Sequence, residues 1–227
     1  MPEVRRPRFG TDSRVNNETP SELAVREPLR LGVFGGTFDP IHCAHLAMAR
    51  AAAMHAYLDR VLFVVSGRPP HKKEGPCASA EERFDMVRAA LADEPRFEAV
   101  RIEIDRPGPS YTVDTLAALE QQFPGAELFL ILGMDSLADL SKWRDPEGIV
   151  RRARILAIPR AGWTPPPSVL GRPYMIIPFP ETSLSSTEVR ARIAGGRPVD
   201  DVIPPRALDY IRKKGIYHAG FAGRPRL

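Results

Sequence analysis

A doubly wound α/β fold, with helices on both faces of a mostly parallel sheet, is what the 227 residues predict. Three observations predict it. From Leu31 onward short apolar runs alternate with helix-like segments. Several of those runs are apolar at four or five consecutive positions, as strands covered on both faces require. Parallel strands joined through helices need right-handed crossovers, and the simplest product of repeated crossovers is a doubly wound sheet.

Taken in order, the first strand is expected over 30–34, where Leu31-Gly32-Val33-Phe34 precedes two further glycines. A helix over 44–57 follows, and its small residues (AHLAMARAAAMHAYL) allow it to lie close against a sheet. A strand over 60–65, a helix over 79–93 and a strand over 99–104 come next. The pattern continues with a helix over 113–122, a strand over 128–132 and a short helix over 136–140. Strands over 154–158 and 174–177 precede helices over 186–194 and 205–213. Ligands in such sheets sit outside the carboxyl ends of the strands, and every motif described below falls there.

Composition bounds the rest. With 43% hydrophobic and 26% charged residues the chain reads as an ordinary globular protein, long enough for one large domain. The net charge of +4 suits an anionic substrate without indicating nucleic acid. The basic tail with Arg212, Lys213, Lys214, Arg224 and Arg226 offers nothing beyond charge to a nucleic-acid reading. Cys43 and Cys77 stand alone, without zinc or disulfide spacing, so a reducing, cytoplasmic setting is expected. No apolar run is long enough to cross a bilayer, so no membrane partner is expected. Residues 1–28, rich in Pro, Asn, Ser and both charge signs, read as a disordered extension; the domain is expected over 29–218, with a flexible tail over 219–227. Oligomeric state has no signal in the sequence.

The stretch Gly35-Gly36-Thr37-Phe38-Asp39-Pro40-Ile41-His42-Cys43-Ala44-His45 carries the chemistry. The glycines permit close backbone approach, and Pro40 is expected at or just before a helix start. A helix N-terminus fed by such a loop attracts phosphate through its free N–H groups and dipole. His42 and His45, three apart, share one side of the first turn and can donate hydrogen bonds to a phosphoryl group as charge builds there. Neither the P-loop pattern nor the dinucleotide pattern is present. Near the other end, Ser185 with Glu188 has the S-x-x-E form of a capping box. The hydroxyls of Ser186 and Thr187 and the guanidinium of Arg190 there make a second anion site.

These two strings resemble the nucleotidyltransferase signatures GGTFDPIHxGHL and ISSTxIR. The chain departs at Ala44, where glycine is usual, and at Leu184 and Val189, where isoleucine is usual. Between them, Arg68-Pro69-Pro70-His71-Lys72 resembles the PPHK element of bacterial nicotinate-nucleotide adenylyltransferases, and Ser110-Tyr111-Thr112-Val113-Asp114-Thr115-Leu116 their SYTxDTL. Gly133-Met134-Asp135-Ser136 is similar to their GxDS loop, and Lys142-Trp143 to the tryptophan that follows it.

The resemblance implies a Rossmann-like nucleotidyltransferase fold and adenylyl transfer from ATP to nicotinate mononucleotide. It implies ATP contacts at Gly35, Gly36, Thr37, Phe38, His42, His45, Gly133, Asp135, Ser185, Ser186, Thr187 and Arg190. His42, His45 and Arg190 would be catalytic, and Lys72, Thr112 and Trp143 would meet the mononucleotide. Magnesium would accompany ATP through its phosphates, with no dedicated protein ligands. The alternatives are the same chemistry on nicotinamide mononucleotide or on both substrates, and a non-catalytic nucleotide sensor on the same fold.

Overall fold

The computed structural model describes residues 27–69, 75–160, 162–180 and 182–218. Six parallel strands form one sheet in the order β3-β2-β1-β4-β5-β6, with helices on both faces. The strands are β1 (Arg30–Gly36), β2 (Arg60–Val65), β3 (Phe97–Val100), β4 (Glu127–Gly133), β5 (Ala153–Ile158) and β6 (Met175–Ile176). Strand order reverses between β1 and β4, which opens a crevice at their carboxyl ends.

Strict alternation along the strands sorts side chains into two cores. Phe34, Phe63, Phe129 and Ile131 point to one face with Leu156 and Ile158. That face is covered by α1 (Cys43–His55), α2 (Ala80–Ala90), α6 (Ser186–Ala194) and α7 (Pro205–Lys214). Leu31, Val33, Leu62, Val64, Leu128, Leu130 and Leu132 point to the other, under α3 (Thr112–Gln122), α4 (Met134–Asp139) and α5 (Pro146–Arg152). The alanines of α1 do what their size suggests: Ala49, Ala52 and Ala53 are buried against the sheet.

Several expectations need correcting. The third strand ends at Val100, because Arg101 O accepts from the amides of Ile104 and Asp105 and turns the chain. This turn tucks Glu103 inward. Helix α5 was not expected, although Asp145-Pro146 spells its start: the Asp145 carboxylate caps Gly148 N and proline occupies the first turn. Pro40 precedes α1 by three residues, across a cis peptide with Asp39, so it does not open the helix. The expected edge strand over 174–177 is reduced to Met175–Ile176, paired only to β5. Except for residues 27 and 28, both terminal extensions lie outside the described residues. Among those residues no helix is long and apolar enough to cross a membrane.

Candidate functional site

β1 ends at Gly35 and Gly36, and the two glycines are small for different reasons. A Cβ on Gly36 would strike the Phe38 ring, so the loop's own packing forbids it. A Cβ on Gly35 would meet nothing within 4 Å. The protein itself leaves that position open, and Gly35 lines a cavity.

The two histidines follow on α1. His42 is the residue before the helix and His45 lies in its first turn; their rings stack with centroids 3.7 Å apart. His42 N donates to His45 Nδ1 at 3.2 Å, which puts the proton of a neutral His45 on Nε2 and leaves Nε2–H as a donor. The pair approximates a capping box, but His45 N is bonded to His42 O at 2.9 Å, and His42 Nδ1 remains buried without a hydrogen-bond partner. Phe38 packs edge-on against His45 at 5.1 Å. Phe38 itself is buried, and its ring packs against Phe34 and His45.

Burial, reinforced by the nearby Arg160 guanidinium, lowers His42 to about 4. Burial also pushes His45 well down, helped by His42 and Arg160. Both rings are therefore neutral at pH 7, and each can donate only one N–H.

The second motif comes to the same loop. Ser185 Oγ accepts from Glu188 N and starts α6, but the Glu188 carboxylate turns to Arg192, so the expected capping box is only half formed. Ser186 Oγ donates to Pro40 O at 2.9 Å. Arg190 donates to Asp39 O at 2.6 Å and to Thr187 Oγ1 at 3.2 Å. Two polar residues of one helix, Ser186 and Arg190, thus grip the histidine loop across some 150 residues of chain.

The other face holds a cavity of about 550 Å³, within the usual size of a small-ligand site. Gly35, Gly36 and Thr37 form one wall; Ser110, Tyr111 and Thr112 form another. Thr112 is the first residue of α3, and no side chain caps that helix at Tyr111. Trp143 and Lys142 line it beside Arg144, whose guanidinium lies 4.6 Å over the Tyr111 ring. His42, His45, Arg190 and the serines do not line this cavity; they belong to the α1 and α6 side of the sheet. Gly35–Thr37 is the boundary between the two halves. Gly133 and Asp135 stand at the start of α4, with Asp135 paired to Arg160 at 2.8 Å. Lys72 lies outside the described residues.

Five neighbours of the site escaped the sequence reading. Asp39 is buried, and its carboxylate accepts from Cys77 N, Ala78 N and the Tyr217 hydroxyl. Arg83 is buried on α2, Glu103 beneath the cavity, and Arg160 follows β5 beside the histidines. Arg83 had a legible signal: it shares one helical face with Met86, Val87 and Ala90, so a cation sits on an apolar stripe. Tyr217 had none, since its partner is 178 residues away.

A family model described as cytidylyltransferase-like matches residues 33–192. A Thermus thermophilus protein named probable nicotinate-nucleotide adenylyltransferase is 46% identical over 191 residues, covering 83% of this chain and 100% of that one. The chain belongs to the nicotinate-nucleotide adenylyltransferase family. A Moorella thermoacetica member is 40% identical over 213 residues, covering 89% of this chain and 95% of that one. The fold is shared with Plasmodium falciparum nicotinic acid mononucleotide adenylyltransferase in complex with NaAD, at 22% identity and a TM-score of 0.70, over 83% of this chain and 97% of that one.

Nucleotidyltransferases that use ATP commonly work with a divalent ion. Asp39 spends both carboxylate oxygens on amides and a phenol, and Asp135 is paired to Arg160. Among the described residues no group of three or more His, Cys, Asp or Glu is placed to hold a metal.

Proposed function

We propose that this protein transfers the adenylyl group of ATP to nicotinate mononucleotide, forming deamido-NAD and releasing pyrophosphate. One observation carries the reading. A phosphate-suited cluster and a nucleotide-sized cavity meet at the Gly35–Thr37 boundary, at the crevice where strand order reverses. ATP would lie with its phosphates against α1 and α6, and the mononucleotide would fill the cavity.

In the reaction a phosphate oxygen of the mononucleotide bonds to the α-phosphorus, and the bond from that phosphorus to the β-bridging oxygen breaks. Pyrophosphate carries away the electron pair, and no covalent intermediate with the protein is needed. Catalysis is then positioning plus charge stabilisation. His45 Nε2–H supplies a neutral donor whose hydrogen bond strengthens as charge builds on the oxygens. Arg190 and Arg160 supply fixed positive charge, and Lys72 would hold phosphate as a flexible point charge. Magnesium would enter on the ATP phosphates, neutralising charge there.

For the acceptor, Trp143 offers a ring face to a cationic pyridinium. The uncapped start of α3 at Thr112 offers N–H groups and a positive dipole end to a carboxylate. These features favour the acid over the amide. Asp135 and Gly133 would meet the adenosine ribose, and Ala44, half-buried in the first turn of α1, would narrow the nucleotide fit by one methyl. The same reading sets the protein in the cytoplasm, with no nucleic-acid or membrane partner.

Pyrophosphate release tests it directly, using purified protein, ATP and magnesium with nicotinate mononucleotide and nicotinamide mononucleotide in parallel. Strong preference for the acid is expected. Equal use of both would replace the assignment with a dual-specificity enzyme, and ATP binding without release would leave only a sensor.

A further inference from the structure

Arg83 is 1% exposed, the largest fully buried side chain among the described residues. Its guanidinium donates from three nitrogens to three carbonyls on three separate segments. Nη1 reaches Thr37 O at 2.8 Å, Nε reaches Ala78 O at 3.2 Å, and Nη2 reaches Gly67 O at a longer 3.4 Å. Ala78 belongs to the turn whose amides bind Asp39, so two of the three contacts tie Arg83 to the histidine loop.

The third contact leads to the cavity. Gly67 N and Arg68 N both donate to Ser110 Oγ, at 3.0 and 3.2 Å, and Ser110 N donates to Arg68 O at 3.0 Å. Ser110, Tyr111 and Thr112 form a cavity wall. Gly67 also lies so close to the Glu103 carbonyl that a Cβ there would collide with it. Arg83 is thus the common anchor of the phosphate loop on one side and the mononucleotide wall on the other.

Burying a guanidinium is costly unless its charge and donors are satisfied. Here the donors are used on backbone, and the buried carboxylates of Asp39 and Glu103 supply the opposing charge. A packed core alone would have been served more cheaply by an apolar residue at this position on α2.

We propose that Arg83 is a positioning residue that holds the triphosphate loop and the mononucleotide cavity in fixed relation, so that the attacking phosphate meets the α-phosphorus in line. This rests on the adenylyl-transfer reading above. In-line transfer needs reacting atoms about 3–3.5 Å apart, and a misplacement of 1 Å can cost about 10²-fold in rate. Either substrate alone touches mainly one half of the site, whereas the dinucleotide product spans both.

Arg83→Lys tests this, because it keeps the charge but replaces a fork of donors with one nitrogen. Turnover is read from pyrophosphate release, and calorimetry gives the affinities for ATP alone, nicotinate mononucleotide alone and deamido-NAD. The expected pattern is binary affinities within about 3-fold of wild type, deamido-NAD affinity lowered at least about 10-fold, and kcat lowered about 10- to 100-fold. Wild-type kcat and product affinity in the folded variant would overturn the proposal, as would a parallel loss of all three affinities.

Ser110→Ala cuts the same chain at its far end while leaving the α2 core intact; kcat and deamido-NAD affinity lowered at least about 10-fold, with ATP affinity within about 3-fold of wild type, are expected, and if the lysine variant does not fold, this variant decides alone. No turnover by the unmodified protein would overturn the adenylyl-transfer reading and this proposal with it. Normal turnover in both variants would overturn this proposal only.

Discussion

The hydroxyl of Tyr217 donates to Asp39 Oδ1 at 2.7 Å, joining the last described turn of the chain to the middle of the phosphate loop. Burial and the adjacent Asp39 carboxylate push the Tyr217 phenol well above its ordinary pKa, so it remains a donor. The bond closes a hub in which Asp39 also accepts from Cys77 N and Ala78 N and lies 3.8 Å from Arg190 Nη1.

Tyr217→Phe removes that hydroxyl, which also lies 3.9 Å from Met86 Sδ, and keeps the ring. The buried carboxylate loses one partner of three, at a cost of about 1–2 kcal/mol. For a chain of this size that lowers Tm by roughly 2–8 °C in thermal denaturation. An unchanged Tm would show that the hydroxyl contributes nothing to stability.

Replacing His45 by alanine removes the Nε2–H donor whose orientation His42 N fixes. The expected result is a kcat about 10²- to 10³-fold lower with a much smaller change in KM, since the donor acts chiefly on the transition state. Steady-state pyrophosphate release measures both parameters, and near-normal turnover would remove His45 from the mechanism.

Stability should fall in mild acid through the same pair. In the unfolded chain His42 titrates near its ordinary 6.5, whereas burial holds the folded residue near 4. Between those values the unfolded state binds more protons, so this contribution is complete above about pH 6.5 and is lost as pH falls toward about 4. The shift corresponds to about 3 kcal/mol. His42→Asn should flatten the fall of Tm between pH 7 and 4; curves that stay parallel would contradict the assignment.

Gly35→Ala separates folding from binding. Nothing lies within 4 Å of the added methyl, so Tm should stay within about 2 °C of wild type. The methyl enters the cavity wall, and substrate KM should rise about 10-fold or more. A wild-type KM would mean that no ligand approaches this backbone closely.

Trp143→Ala distinguishes the two substrates. Its ring lines the cavity and not the histidine cluster, so KM for nicotinate mononucleotide should rise about 10-fold while KM for ATP changes less than about 3-fold. Equal effects on both would place the ring between the two sites.

Much of the site was legible because its signals are local. Glycines behind an apolar run, histidines three apart and a serine three before a glutamate each act within one turn of chain. The local readings failed where a neighbour from elsewhere intervened. Glu188 was expected to complete a capping box, but Arg192 one turn on takes its carboxylate. The third strand was expected to reach residue 104, but the turn at Arg101 stops it and places Glu103 under the cavity.

The sequence by itself determined the α/β class, most elements, and the placement of both phosphate motifs at strand ends. It could do so because apolar periodicity and cap chemistry are properties of neighbouring residues. Only the tertiary structure decided that those two motifs meet on the α1 and α6 side of the sheet while Thr112 and Trp143 line a cavity on the other, that Gly35 is left open beside that cavity, and that Arg83, Asp39 and Tyr217 tie the halves together. Those facts depend on which strand lies beside which and on side chains meeting across 46 to 178 residues, distances over which composition and spacing carry no geometry.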